Sequence, residues 1–124
     1  MNVLCVDQDR TKLRQMKRDA KEIVPEARIA ACRDPSRAER LAREKGCDVL
    51  LTNTLFAGYT RDGMILARKI QSVCPRVNII FIADRADTSE AYGAWQIGAN
   101  AFLLRSYEKR RLAKALANPR FASE

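Results

Sequence analysis

The chain has 124 residues, of which 47% are hydrophobic and 31% charged, and this is the size and composition of one globular domain. It contains no histidine, which excludes Ser-His or Cys-His nucleophile activation and any imidazole ligand to a metal ion. Twenty-three basic and fifteen acidic residues give a net charge of +8, a balance that favours acidic partners and indicates no particular fold.

The longest apolar runs, such as Val77–Ala83, are far shorter than the ~20 residues that span a bilayer. The first residues lack the basic and long apolar stretches of a signal peptide. Four separated cysteines without a C-x-x-C pair indicate free, mostly buried thiols rather than disulfides or a zinc site. We therefore expect a cytoplasmic domain that has no membrane contact.

Strand and helix patterns alternate along the chain, with short turns between them. The predicted strands are five short, mostly apolar runs: Asn2–Val6, Ala27–Ala31, Asp48–Thr52, Val77–Ala83 and Ala101–Leu104. The predicted helices are five stretches of amphipathic spacing: Thr11–Val24, a helix from the cap Asp34-Pro35-Ser36 to Gly46, Gly63–Cys74, Asp87–Ile97 and Tyr107–Ala117. A loop over 53–62 contains Gly58. Residues 1–118 form one predicted domain, and residues 119–124 form a tail that could begin a linker to an effector domain.

Strands that alternate with helices predict a doubly wound α/β fold, in which right-handed crossovers bury a parallel sheet on both faces. Ligand sites in such sheets lie outside the carboxyl ends of the strands. Arg28, which lies inside the second run, indicates that this strand is at an edge. The candidate functional residues are therefore those that follow the strands: Asp7, Gln8, Asp9, Arg33, Asp34, Asn53, Thr54, Ala83, Asp84, Arg105 and Ser106.

Four fragments of the chain, in order, resemble the response-regulator receiver domain of bacterial two-component signalling. They are Val6–Asp9, Cys47–Asn53, Ile79–Asp84 and Gly98–Ser106, and the resemblance extends from Val3 to about Leu116. It implies a five-stranded, flavodoxin/CheY-like (β/α)5 fold with strand order 2-1-3-4-5.

The resemblance also implies a chemistry, in which a partner kinase transfers a phosphoryl group to an aspartate at the end of the third strand. An acidic pair after the first strand, that aspartate and a backbone carbonyl two residues later hold Mg²⁺. A hydroxyl after the fourth strand and a lysine after the fifth contact the phosphoryl oxygens. Metal and lysine together neutralise the charge that develops during transfer.

The chain departs from this pattern at most of the positions that hold the metal ion or the phosphoryl group. The acceptor position holds Asn53, whose amide forms no acyl phosphate, and the second position of the acidic pair holds the neutral Gln8. Ala83 stands where the hydroxyl is expected, and Arg105 stands where the lysine is expected. Of the three carboxylates that the family presents, only Asp7 remains.

These departures predict a degenerate receiver that binds Mg²⁺ weakly or not at all and is not phosphorylated at position 53. Asp7 and Asp9 are the only weak candidate metal ligands. We expect a regulatory domain rather than an enzyme, one that works by protein–protein contact in signalling or transcription control. One alternative is a Mg²⁺-dependent receiver that uses another carboxylate, such as Asp9 or Asp84. A second is a basic adaptor for nucleic acid.

We expect the guanidinium of Arg105 to form a bidentate contact with the carboxylate of Asp7. This contact either locks the site in one state or is a partly exposed ion pair of little energetic weight. Phe102 occupies the position of a switching aromatic in receivers. Since the partner hydroxyl is missing, we expect Phe102 to pack against the edge strand.

The surface of the fourth helix, fifth strand and fifth helix commonly mediates dimerisation or output contact in receivers. Tyr92, Phe102 and Tyr107 are the candidate interface residues for a homodimer, and we expect Trp95 to lie in the core. Basic residues are concentrated on the first, second and last helices. We expect them to be solvated, with a nucleic-acid or acidic-protein patch as the alternative, because no aromatic side chains are interleaved with them.

Overall fold

The apolar runs form one parallel sheet in this computed structural model, which describes residues 1–54, 62–85 and 87–117. The strands are β1 (Asn2–Val6), β2 (Arg28–Cys32), β3 (Val49–Asn53), β4 (Asn78–Ala83) and β5 (Ala101–Leu104). They pair in the order β2-β1-β3-β4-β5, and every pairing is parallel. The structure confirms the predicted fold and strand order.

The helices are α1 (Arg10–Ile23), α2 (Pro35–Lys45), α3 (Asp62–Val73), α4 (Thr88–Gln96) and α5 (Lys109–Ala117). No predicted element boundary differs from the structure by more than two residues. The interior of the predicted 53–62 loop, which includes Gly58, and the predicted tail lie outside the described residues. None of the helices in the described part of the chain is long and apolar enough to cross a membrane.

Side-chain caps and one glycine define where several helices begin and end. Asp34 and Asp87 accept hydrogen bonds from backbone N–H groups in the first turns of α2 and α4. Asp9 does the same for α1 through the N–H group of Lys12. Gly46 ends α2 with φ at 80°, in the left-handed region that glycine enters without strain.

Two apolar clusters cover the two faces of the sheet. The first packs α2, α3 and α4 against one face, and it is centred on Leu50, Ile70 and Phe81. The second packs α1 and α5 against the other, and it is centred on Met16 and Leu112. Because β3 and β4 are covered on both sides, all of their residues are buried, whereas three of the five residues of β2 are exposed at the sheet edge. The sheet is therefore a rigid support for the side chains at the carboxyl ends of its central strands.

Candidate functional site

The register of the sheet brings four of the predicted site positions to one edge. Asn53 is the last residue of β3, and it is paired with Ile82, which precedes Ala83 on β4. The N–H group of Arg105 donates to the carbonyl of Ala83 at 2.7 Å, which continues the β4–β5 pairing one residue past the strand. Asp7 follows β1, the neighbour of β3 on the other side.

Asp7 is almost completely buried, and each of its carboxylate oxygens accepts one hydrogen bond. The N–H group of Asp9 donates to Oδ1 at 2.9 Å, and Nη2 of Arg105 donates to Oδ2 at 2.9 Å. Burial is the largest influence on the pKa of Asp7 and raises it above its usual value, although the Asp9 N–H group and the Arg105 charge act in the opposite direction. The buried carboxylate therefore depends on these two donors for its stability in the ionised form.

The guanidinium of Arg105 bridges two carboxylates. Besides its bond to Asp7, it donates from Nε to Oδ1 of Asp84 at 3.2 Å. Lys12 of α1 also donates to Oδ1 of Asp84, at 2.9 Å. Partial burial raises the pKa of Asp84, but the hydrogen bonds from Lys12 and Arg105 outweigh burial and lower the pKa overall. The site thus contains a chain of alternating charges, which we call the Asp7–Arg105–Asp84–Lys12 network.

The network confirms the predicted contact between Asp7 and Arg105 but not its form. The prediction of a bidentate bond was wrong, because the two donor nitrogens of Arg105 are divided between Asp7 and Asp84. Asp84 was predicted as a residue that follows the fourth strand and as an alternative phospho-acceptor, whereas Lys12 was not predicted to belong to the site. The sequence does contain one indication that Lys12 belongs to the site, which is its position about one turn into a helix that begins beside Asp7.

Gln8 and Asp9 form the turn between β1 and α1, and both are exposed. The backbone carbonyl of Gln8 accepts a hydrogen bond from Nε of Arg33 at 2.8 Å. The carboxylate of Asp9 caps α1, and its bond from the Lys12 N–H group is the main cause of its lowered pKa. Asp9 is therefore a capping residue, while its backbone N–H group orients Asp7.

Asn53 is buried beside the start of α3. Its Oδ1 accepts a hydrogen bond from the N–H group of Thr54 at 2.8 Å, and its backbone carbonyl accepts one from the Thr52 hydroxyl at 3.0 Å. Gly63 packs so closely that a Cβ atom there would lie 2.0 Å from the Asn53 carbonyl oxygen. The absence of a side chain at Gly63 is what allows α3 to begin against the end of β3.

A second buried polar contact at this edge was missed by the sequence analysis. The hydroxyl of Thr54 donates to Oε1 of Glu90 on α4, and both residues are buried. A glutamate in the first turn of a helix is usually expected to reach back to the helix cap. Here it points inward and links α4 to the residue that follows Asn53.

The surface formed by α4 and β5 presents exposed aromatic and apolar side chains. Tyr92 is 57% exposed, Trp95 74% and Leu104 40%, and the Tyr92 and Trp95 rings have centroids 5.9 Å apart. The prediction that Trp95 lies in the core was wrong. Ala94 and Ile97 face inward, together with Glu90, and this places Trp95 on the outer side of α4. We call Tyr92, Trp95 and Leu104 the α4–β5 surface.

Phe102 and Tyr107 are partly buried and do not belong to the α4–β5 surface. Phe102 is half-buried and packs against the cluster that contains α3 and α4, as expected. Tyr107 is half-buried on the α1 side of the sheet, where its hydroxyl donates to Oδ2 of Asp19 at 2.5 Å. Tyr107 therefore forms a contact between the start of α5 and α1, and its role as an interface residue stays a prediction.

The model of the response regulator receiver domain family matches residues 3–117, and the chain belongs to this family. Members of this family are regulatory modules of two-component signalling. No curated protein sequence matches the chain significantly.

Solved structures with the same fold share little sequence with the chain. A response regulator receiver domain protein from Clostridium thermocellum is 20% identical, with a TM-score of 0.83 over 98% of this chain and 95% of the other. The chemotaxis protein CheY4 of Vibrio cholerae is 16% identical, with a TM-score of 0.80 over 95% and 97%. The receiver domain of the putative response regulator NarL from Mycobacterium tuberculosis is 22% identical, with a TM-score of 0.77 over 97% and 95%. These likenesses show the fold alone.

Proposed function

We propose that this receiver domain regulates without phosphorylation, through protein–protein contact, as a homodimer that uses the α4–β5 surface. The observation that carries the proposal is the bridge from Arg105 to Asp7 and Asp84. In the family pattern a lysine at this position contacts the phosphoryl group. Here the corresponding cation is bound to two carboxylates of the chain itself.

The residues present do not fit a Mg²⁺ ion. Mg²⁺ requires close to octahedral oxygen coordination and is usually bound through carboxylates. Both oxygens of Asp7 already accept hydrogen bonds, Gln8 is neutral, and the Oδ1 atom of Asn53 accepts one from Thr54. The backbone carbonyl at position 55 lies outside the described residues. The described residues therefore lack the ligand set of a Mg²⁺ site.

The acceptor chemistry is missing as well. Phosphoryl transfer to a receiver needs a carboxylate oxygen as the nucleophile, and the amide of Asn53 does not supply one. Ala83 carries no hydroxyl to contact the phosphoryl oxygens. Of the two alternative acceptors, Asp9 caps α1 and Asp84 is bound to Lys12 and Arg105, so neither is a free nucleophile.

Intact-mass spectrometry after incubation with acetyl phosphate, with and without Mg²⁺, tests this part of the proposal. We expect no added phosphoryl group under either condition. The control is a variant with the family residues restored, Gln8→Asp/Asn53→Asp/Ala83→Thr/Arg105→Lys, which should gain one phosphoryl group only with Mg²⁺. A Mg²⁺-dependent adduct on the native chain would contradict the proposal, and peptide mapping would then distinguish Asp9 from Asp84 as the acceptor.

The contact surface is supported by its composition. Tyr92 and Trp95 are aromatic, adjacent and largely exposed, and aromatic residues dominate the binding energy of protein interfaces. Trp95 is the single tryptophan of the chain, so its fluorescence reports on this surface alone. If the surface is the dimer interface, the emission maximum shifts to shorter wavelength as protein concentration rises.

Light scattering after size exclusion gives the second readout. We expect the native chain to be a dimer and Trp95→Ala to be a monomer. Ile65→Ala is the matched control, because Ile65 is an equally apolar residue that is 52% exposed on α3. A native monomer at all concentrations, or equal dissociation of both variants, would refute the assignment of this surface.

A further inference from the structure

The charges of α1 are segregated onto two sides of the helix. Its two acidic residues, Asp19 and Glu22, both face α5. Asp19 accepts a hydrogen bond from the hydroxyl of Tyr107. Nζ of Lys109 lies 2.6 Å from Oε2 of Glu22 and 3.9 Å from Oδ1 of Asp19. Both acidic residues of α1 are thus bound by side chains at and just before the start of α5.

Four exposed cations lie along the outer side of α1. Arg14, Lys17, Arg18 and Lys21 follow the i, i+3, i+4, i+7 spacing of one helix face, and all four are exposed. We call them the α1 stripe. None of the four forms an ion pair with any residue that the structure describes. Together with Glu22 they line a shallow surface groove of about 380 Å³.

The surroundings of the stripe favour one kind of ligand. All of the large exposed apolar side chains of the described residues lie on other elements: Met1, Ile65, Tyr92, Trp95 and Leu104. Protein interfaces are anchored by such side chains, and single-stranded nucleic acid stacks its bases on aromatic rings. The phosphate backbone of a duplex requires neither, because exposed lysine and arginine side chains are sufficient to bind it.

We infer that the α1 stripe binds the phosphate backbone of duplex DNA without sequence preference. The stripe spans about 10 Å at ~1.5 Å per residue. A duplex carries one phosphate charge per ~1.7 Å of its axis, so the same length presents about six phosphates to four cations. This activity is separate from the contact surface on α4 and β5, which lies on the other face of the sheet.

Four phosphate contacts predict a steep salt dependence. The logarithm of the binding constant should fall with the logarithm of salt concentration with a slope of about −3.6, which is ~0.9 per contact. Affinity then decreases about 150-fold between 50 and 200 mM salt. Fluorescence anisotropy of a labelled 20-base-pair duplex of random sequence, titrated with the native chain, measures this slope.

Matched charge reversals distinguish the effect of the α1 stripe on DNA binding from the effect of the net charge of the chain. Arg14→Glu/Lys17→Glu alters the stripe, and Arg37→Glu/Arg40→Glu alters two exposed arginines on α2, across the sheet. Each pair removes two positive charges and adds two negative ones, so both change the net charge from +8 to +4. We expect the stripe variant to bind at least ~10-fold more weakly at 50 mM salt with its slope halved, and the α2 variant to bind within about threefold of the native chain.

Several results would overturn the inference. They are an equal loss in both variants, no duplex binding by the native chain at 50 mM salt, and equally tight, stripe-dependent binding of poly-glutamate, which would indicate an acidic protein partner instead. Thermal unfolding followed by circular dichroism verifies that the variants are folded. If the glutamate pairs do not fold, Arg14→Gln/Lys17→Gln and Arg37→Gln/Arg40→Gln decide the question in the same assay.

Discussion

Replacement of Arg105 by methionine tests the Asp7–Arg105–Asp84–Lys12 network directly. Methionine keeps an unbranched side chain, but it removes the hydrogen bonds to both Asp7 and Asp84. Asp7, which is 1% exposed, would then be left as a buried charge with only the Asp9 N–H group as donor.

The expected loss of stability follows from the burial of the pair. Removal of one partner of a buried ion pair costs about 3–5 kcal/mol. Since the Arg105 side chain is 18% exposed and Asp7 keeps one donor, we expect the lower end of this range, about 3 kcal/mol at pH 7. With an unfolding entropy of ~2.1 cal/mol/K per residue over 124 residues, the melting temperature should fall by about 11 °C.

The loss should also depend on pH. Burial already raises the pKa of Asp7, and the loss of Arg105 raises it further. A carboxyl group with a raised pKa binds more protons in the folded state, so its contribution to stability falls as pH rises from the unfolded value towards the folded pKa. The pKa of Asp84 is lowered partly by Arg105, and this stabilising effect is present above the unfolded value and lost at lower pH. Both effects make the loss larger at pH 7 than at pH 4.

Urea unfolding followed by circular dichroism at pH 7 and pH 4 measures these differences. Asp7→Asn combined with Arg105→Met removes the buried charge together with its partner, so it should recover most of the lost stability. Arg105→Lys keeps a cation and should be less destabilising than methionine. A loss below about 0.5 kcal/mol at pH 7, which is typical of an exposed surface substitution, would refute the reasoning. So would an equal loss at both pH values, or a double variant no more stable than Arg105→Met.

Four further predictions concern individual contacts of the fold. Gly63→Ala should destabilise the fold by at least about 1–3 kcal/mol, because its Cβ would lie 2.0 Å from a β3 carbonyl oxygen. Gly93→Ala should instead be neutral or stabilise α4 by up to about 1 kcal/mol, because its nearest neighbour is a flexible methionine side chain at 3.8 Å, and urea unfolding compares the two. Thr54→Val should cost about 1–3 kcal/mol in the same assay, because it leaves the buried Glu90 carboxylate without its hydroxyl donor, and a neutral result would contradict the proposed link to α4. Burial and a hydrogen bond to a carboxylate of α1 raise the pKa of Tyr107, so spectrophotometric titration of the native chain should show one tyrosine that ionises well above the usual ~10. Tyr107→Phe should remove that component.

Most of the fold could be predicted from the sequence because local and global signals agree. The apolar runs are continuous where the sheet is covered on both faces, and Asp34, Gly46 and Asp87 each mark a helix end by a local mechanism. The small errors in the boundaries have a tertiary origin. Asn53 belongs to β3, for example, because its backbone pairs with β4, and its polar side chain gives no sign of this.

The side chains of α4 show why part of the site could not be predicted. Hydrophobicity places Trp95 inside and Glu90 outside, and the structure reverses both. The reversal depends on the hydroxyl of Thr54, which is 36 residues away in sequence and makes burial of the Glu90 carboxylate acceptable. The same holds for Lys12 and Asp84, whose contact spans 72 residues and is set by the packing of α1 against the sheet.

The charge balance of the site connects its sequence departures with one another. The family pattern of three carboxylates and one lysine leaves a net charge of about −2, which a bound Mg²⁺ ion offsets. Gln8 and Asn53 remove two of those carboxylates, so the site no longer needs a dication to balance its negative charge. Asp84 adds one carboxylate back, and Lys12 and Arg105 together balance Asp7 and Asp84 through three contacts of 2.9–3.2 Å. Because the network is neutral without a metal ion, restoring a single family residue such as an aspartate at position 53 would leave Asp7 and Arg105 still bound to each other. This is why the restored control for the phosphorylation assay changes four positions rather than one.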